Sequence, residues 1–413
     1  MSSSGAVDSA ARAPSTARTR IDAPPLAPGE DAHAPAAPTS LVAEWKPLAE
    51  FDAADIDAWH GLVARVLEPN VFLEPSFALA AAKYLPQGHG VGAILVRAGS
   101  RLMGLVPGRV EGLSAGRPIS TFIGWTHPYA PLSVPLLDRG TAKDVVGCVL
   151  AALPKLPGAP RLILYPFVNE DGAVARLRAG ELARKGISIT CFDPHERAML
   201  RPVAAARALA AVSGGRLKEL RRQRRRLGEL GMLARKSIAR GAEIGAAIEA
   251  YLALEARGWK GREGGAAQSS DATRAFFKTA VAALAAEGKA RIDLLVLDSN
   301  PIAAAITLFS GDRAWFWKTA YDENYARFSP GVQLALDLTE ELGRDLSISL
   351  VDSCATADHP MIDHLWEGRL AIADWMMPLG NTGSAEVAVA TAAETLRRAA
   401  IKGLRAVRKI ARR

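Results

Sequence analysis

The sequence predicts an α/β chain of the α+β type, built as two tandem lobes, each a mixed, mostly antiparallel sheet flanked by helices. Three observations support this. Helical and strand periodicities alternate within each half instead of segregating along the chain. Both halves run through the same element order: helices, a meander of strands, a helix and a further strand. Short turns such as Ala98-Gly99-Ser100 and Ser299-Asn300-Pro301 join the meander strands as hairpins.

The elements follow in order. Residues 1–40 are rich in Ala, Ser and Pro with no apolar period, and read as a disordered leader. The first lobe, 41–200, opens with helical spacing over 52–67 and 75–85. Strands follow at 91–99, 100–110 and 120–125, then a helix over 141–153, a strand at 161–167, a helix over 171–186 and a strand at 187–192. The second lobe, 201–378, begins with helices over 214–231, 241–259 and 270–288, the last capped by Ser270 or Asp271. A meander at 290–298, 301–309 and 313–321 leads through Ser329-Pro330-Gly331 into a helix over 332–342. A strand at 347–353, a short helix near 359–366 and a strand at 369–375 complete it. Residues 379–413 form a basic amphipathic tail.

With 413 residues, 49% of them apolar, the chain can bury two cores. It has no uninterrupted apolar run long enough to cross a bilayer, and its N-terminus lacks the apolar stretch of a secretory signal. Cys148, Cys191 and Cys354 lie far apart and read as reduced thiols, which places the protein in the cytoplasm; no metal-ligand spacing occurs. The net charge of +8 sits almost wholly in the tail, where eight basic residues after position 390 face only Glu394. The remaining chain is nearly neutral, which lowers the expectation of nucleic-acid binding.

Two basic features remain. "RLKELRRQRRR" puts seven basic residues, among them Arg222 and Arg225, on one predicted helix with a single Glu. An anionic partner would relieve their repulsion, and a solvated face is the plain alternative. In the tail, Leu396, Ala400, Leu404, Val407 and Ala411 form an apolar stripe amid Arg and Lys, the pattern of a peripheral anchor at the inner membrane surface; a solvated tail is the alternative.

"WFWKTAYDENYARFSPGVQLALDL" runs from an aromatic strand through a rigid turn into a helix. A helix start held there presents unpaired N–H groups and the positive end of a dipole, a ready site for an anion. Together with "VDSCATADHPMIDHLWEGR", and with "YAPLSVPLLD" in the first half, this stretch resembles the GNAT-type acetyltransferases of the cellulose-biosynthesis-associated (CelD/BcsL) group, which carry the BioF2-like domain. The resemblance covers roughly 200–375. It implies two GNAT-like lobes packed as one unit, as in the Fem-type peptidoglycan aminoacyl transferases, and a first lobe that shapes the acceptor cleft.

The same resemblance implies acetyl-CoA as donor, lying where two strands splay apart, with its pyrophosphate on the helix start. Arg327, Ser329, Gly331, Val332 and Gln333 would then bind the cofactor. Of the spaced glycines of the usual phosphate signature only Gly331 is present, one residue further from Arg327 than the pattern has it. Fem-type relatives take their acyl group from aminoacyl-tRNA, the rival expectation; a catalytically inactive scaffold for polysaccharide synthesis is a third. The implied acceptor is an amine or hydroxyl of a sugar, glycolipid or polysaccharide precursor.

Acyl transfer needs an oxyanion donor, a base and an acid for the leaving group. Trp317 or Lys318 on the splayed strand would supply the first. Asp352, at a strand end, or His359, on the loop after it, would be the base; a loop-fixing hydrogen bond and a helix start are their plain alternatives. Tyr321 or Tyr325 would protonate a thiolate, unless they merely pack. Arg369 would clamp a carboxylate or phosphate, and Trp366 would belong to the core.

Overall fold

The computed structural model describes residues 40–184, 186–206, 214–258 and 270–411. The expected leader lies outside the described residues up to position 39. In the first half, β1 (Val42–Pro47) precedes α1 (Ala53–Val63), whose start is fixed by a reciprocal capping box between Asp52 and Asp55. α2 (Pro75–Tyr84) starts with proline at its first position, where the missing N–H is no loss. The hairpin of β2 (Gly92–Ala98) and β3 (Arg101–Glu111) turns at Gly99, whose φ of +60° suits glycine. β4 (Thr121–Gly124), β5 (Leu136–Leu137), α3 (Ala142–Ala152), β6 (Leu162–Asn169), α4 (Ala173–Arg184) and β7 (Thr190–Leu200) follow.

In the second half come α5 (Gly214–Gly228), β8 (Leu233–Ile238), α6 (Glu243–Arg257) and α7 (Asp271–Ala286), the last capped by the Ser270 side chain. The meander β9 (Ala290–Leu297), β10 (Asn300–Ser310) and β11 (Arg313–Tyr321) leads to α8 (Pro330–Leu342), β12 (Leu350–Asp352) and β13 (Gly368–Pro378). A long helix, α9 (Ser384–Ala411), ends the chain.

The described strands form one sheet in the order β1-β2-β3-β4-β6-β13-β7-β12-β11-β10-β9-β8, with β5 on β3. This order is symmetric about its centre. β4 and β6 pair in parallel, as do β11 and β12, and each of these inner pairs is flanked outward by an antiparallel meander. At the centre the halves exchange strands: β13 inserts between β6 and β7, and β7 pairs with β12. Each half is therefore completed by the last strand of the other, which joins the two lobes into one compact unit, Thr39–Arg413.

Four strand features differ from the expectation. β1 and β8 are the sheet's outer edges; they carry charges and, in β1, a proline, the usual protection of an edge, and so show little apolar period. β5 is only two residues long. β7 continues eight residues beyond the expected end at Phe192, because "DPHER" reads as a turn. Asp193 does adopt a φ of +46°, yet pairing with β13 resumes after a bulge between Ile372 and Asp374.

Two apolar layers cover the sheet. On one face Trp59, Phe77, Phe122, Tyr251, Phe276 and Phe277 pack with α1, α2, α6 and α7. On the other, Phe316, Leu334, Leu338 and Trp366 pack beneath α8, with the Trp366 indole N–H donating to Thr339 Oγ1 at 2.9 Å.

Candidate active site

The site begins where β11 and β12 part. They pair in parallel from Arg313↔Leu350 to Trp315↔Asp352; there β12 ends, while β11 runs on to Tyr321. Just past the parting, β11 bulges. Phe316 faces Thr307 and Lys318 faces Ile306, so Trp317 has no partner in the register. A bulge at a splayed strand re-aims backbone groups away from the ladder, as an oxyanion donor requires.

From Tyr321 the chain enters a 3-10 turn, Glu323–Phe328, capped by Asp322 through the Asn324 N–H at 3.0 Å. Ser329 then adopts the left-handed conformation, φ +51° and ψ +49°, and Pro330 starts α8. The Ser329 side chain makes no capping hydrogen bond, so the helix start lacks a side-chain cap. Gly331 lies beneath the Tyr321 ring: a Cβ there would stand 3.4 Å from Cδ1. The strained position of the turn is therefore Ser329, while Gly331 provides clearance.

The expected site residues divide on this geometry. Tyr321 is exposed, Tyr325 and Val332 are half-buried, and Arg327 is exposed with its guanidinium 4.7 Å from the Phe328 ring. Tyr321 ends β11, and the others lie at the helix start or on the turn before it. Gln333 is turned inward: its side-chain N–H donates to Phe328 O at 2.7 Å, so it braces the turn and does not reach for a phosphate. The Trp317 ring is core, donating to Tyr129 O at 2.8 Å and stacking on Phe277 with centroids 4.9 Å apart. Only its backbone remains available for an oxyanion.

Asp352 and Arg369 are corrected more sharply. Both carboxylate oxygens of Asp352 are engaged: Oδ2 accepts from Arg197 Nη2 at 2.5 Å and Oδ1 from the Cys354 N–H at 2.9 Å. Arg197 also donates to Pro131 O at 2.9 Å, and both partners of the pair are buried. Asp352 therefore ties β12 to β7 across the exchange and is not poised as a base. The Arg369 guanidinium donates to the carbonyls of Trp366, Gly368 and Asp363 at 2.6, 3.0 and 3.4 Å, knitting its own turn instead of clamping an anion. His359, half-buried on the loop after β12, accepts at Nδ1 from the Met361 N–H at 3.3 Å. In that tautomer its ring proton is on Nε2.

The arginine helix is less repulsive than its sequence suggests. Arg222 pairs with Glu219 at 2.7 Å, Arg225 lies 3.8 Å from Glu229, and Arg224 makes a fork onto Asp337 of α8 at 3.0 and 3.1 Å. Between α5 and α8 runs a groove of about 460 Å³, lined by Leu217, Leu220, Arg221, Arg224, Gln333 and Leu336 among others. It reaches the first turn of α8.

The first lobe was expected to shape the acceptor cleft, but none of its residues was singled out from sequence. The loop after β4 brings His127 and Tyr129 against the second lobe, and Lys318 Nζ stands 5.0 Å from the Tyr129 ring centroid. His127 is buried among Phe77, Trp125, Tyr129 and Phe276, and neither ring nitrogen has a hydrogen-bond partner. Burial, aided by the Lys318 charge, pushes its pKa down to about 3. Burial raises the Tyr129 hydroxyl, against a hydrogen bond with Thr273, and the Glu255 carboxylate adds to the rise. Buried Glu255 in turn accepts from Tyr251 at 3.0 Å. The signal was the pair of rings in "THPYAP", whose second-lobe partners Phe276, Trp317 and Lys318 are more than a hundred residues away.

Against this geometry, residues 214–359 match the acetyltransferase (GNAT) domain family. No curated protein matches the sequence. Two solved structures superpose over most of the chain. One is a conserved protein of unknown function from Bacteroides thetaiotaomicron, at TM-score 0.50 and 10% identity, over 79% of this chain and 97% of that one. The other is FemX, at TM-score 0.51 and 11% identity, over 77% of this chain and 95% of FemX. At such identities the likeness is one of fold. The fold is thus GNAT-like and of acyltransferase type, with two lobes and a second-lobe segment similar to the acetyltransferase domain.

Proposed function

We propose that the protein transfers an acyl group from acetyl-CoA to an amine or hydroxyl. One observation supports this most directly: β11 and β12 part at Trp315 and Asp352, β11 bulges at Trp317, and the same strand leads to the uncapped start of α8. An acyl carbonyl at the bulge and a pyrophosphate at Gly331 and Val332 would use both features of that strand–helix unit. The groove beside Arg221 would take the rest of the nucleotide. With Asp352 tied to Arg197, proton transfer falls to Tyr321, Tyr325 and His359.

The acceptor's nitrogen or oxygen attacks the thioester carbonyl and gives its proton to His359, the C–S bond breaks, and the departing thiolate takes a proton from Tyr321 or Tyr325, in a ternary complex. The acceptor class, a sugar, glycolipid or polysaccharide precursor, rests on the CelD/BcsL resemblance, and a cytoplasmic location rests on reading Cys148, Cys191 and Cys354 as reduced thiols. A second reading, aminoacyl-tRNA as donor, is favoured by the solvent-facing Arg222 and Arg225 on α5.

Calorimetric titration with acetyl-CoA, comparing the wild type with Gly331→Asp, tests the donor. The substitution sets a carboxylate at the helix start, against Tyr321. Binding that falls about tenfold or more, with an unchanged melting curve, supports the site. A wild-type protein that does not bind would overturn the acetyl-CoA reading and move the question to charged tRNA.

A further inference from the structure

The C-terminal helix α9 is inside out. Over Ser384–Lys402 it docks on the first lobe largely through charge. Glu394 is buried and meets Arg117, Arg397 and Arg398 at 3.0, 2.6 and 2.6 Å. Arg398 reaches Asp193 and Asp374 at 2.7 and 2.8 Å, and Lys402 reaches Asp193 at 2.6 Å. At the near end Glu386 pairs with Arg161 at 2.6 Å, and Ala390 adds a small apolar contact with Ile123, Leu162 and Phe192.

Val387 packs beside Ala390, but four other apolar side chains face outward. Val389 is 51% exposed, Leu396 71%, Leu404 60% and Val407 63%. Their spacing, with Ala400 between, places them on one face of the helix. A helix that spends its charges on the protein and shows these valines and leucines to the outside has an unmatched face, and such faces mark interaction sites.

We propose that this face lies flat on an anionic membrane surface. Charge complementarity selects this occupant. Beyond Lys402 the sequence carries Arg405, Arg408, Lys409, Arg412 and Arg413 and no acid. A second copy would carry the same run of positive charge and be repelled by it, whereas anionic headgroups attract it. Among the described residues no helix is long and apolar enough to cross a bilayer, which fits a helix that lies in the interface. The proposal does not depend on the acyl donor. It would hold the first-lobe face that carries α9 against the lipid.

The full chain is sedimented with phosphatidylcholine vesicles, with and without about one third phosphatidylglycerol, at low and high salt. The wild type is expected to pellet with the anionic vesicles, and less so at high salt. Leu396→Glu/Leu404→Glu is expected to lose about tenfold or more in partitioning. Leu404→Gln, which adds no charge, should weaken binding in the same direction, and melting curves check that each variant folds. Equal binding by the wild type and the double variant would overturn the proposal, as would no binding by the wild type. A concentration-dependent mass in light scattering, abolished by the double variant, would assign the face to a second copy and overturn the membrane reading.

Discussion

The Arg197–Asp352 pair gives the sharpest test of the site's architecture, because it separates a base from a strut. Both side chains are almost completely buried, and the pair joins a first-half strand, β7, to a second-half strand, β12. Arg197→Met strands a carboxylate whose second oxygen already accepts from Cys354 N–H, and it releases the Pro131 carbonyl. Breaking a buried pair from one side costs about 3–5 kcal/mol. Arg197→Met/Asp352→Leu removes both charges together. What then remains unpaired is the Cys354 N–H and the Pro131 carbonyl, each worth about 1–3 kcal/mol when buried and less if water reaches it. The double variant should therefore lie no lower than Arg197→Met, and its two changes should couple by about 2 kcal/mol or more. Urea unfolding followed by far-ultraviolet circular dichroism and by tryptophan fluorescence measures this, provided the two probes coincide. A cost below about 1 kcal/mol for Arg197→Met would refute the strut. So would an Asp352→Asn protein of wild-type stability that binds acetyl-CoA but does not turn over, since that is how a base would behave.

Two further predictions concern groups whose titration is displaced by folding. His127 has a folded pKa of about 3 against an ordinary value of 6.5, so its contribution is fully present above 6.5 and is lost as pH falls from 6.5 towards 3. His127→Phe should abolish that loss, sparing about 2.7 kcal/mol of acid destabilisation at pH 4.5, two units below the ordinary value; an unchanged stability-against-pH slope would refute it. Burial pushes the Glu394 carboxyl up, but the Arg397 hydrogen bond and the charges of Arg398 and Arg117 outweigh it and hold the pKa at about 2. The stabilisation is present above the ordinary value of 4.5 and lost as pH falls through 2. The protection factors of α9 amides against hydrogen exchange should then fall below pH 4, and Glu394→Gln should show that lowered protection already at pH 7.

Much of the fold was legible because its signals are local. The hairpin at Gly99, the cap at Ser270 and the Pro330 start of α8 are each written in two to four adjacent residues. The repeated element order gave the two lobes. The exchange of β7 and β13 was not legible, because nothing in either strand's own sequence states which lobe it will complete. That single fact accounts for most of what was misread in the site. Asp352 resembles a catalytic carboxylate at a strand end only while its partner is unknown, and Arg197 lies 155 positions away, in a stretch that reads as a turn. Arg369 resembles an anion clamp until its turn closes and supplies three carbonyls. Position in the turn was predictable; the committed partner was not.

The same exchange explains why the first lobe belongs in the site at all. Were each lobe complete in itself, the loop after β4 would serve its own half. Instead β7 and β13 draw the two halves into one sheet, and the loop carrying His127 and Tyr129 is pressed onto Trp317 and Lys318 at the bulge. The first half has no helix start corresponding to Ser329-Pro330-Gly331: after β4 the chain reaches no helix until Ala142. With the uncapped helix start in one lobe and an aromatic wall supplied by the other, the proposed reaction would have its CoA end on the second lobe. On that proposal the walls on the acceptor side would come from both halves. Substitutions at Tyr129 or His127 should therefore alter acceptor use while leaving acetyl-CoA affinity nearly intact, the opposite of Gly331→Asp.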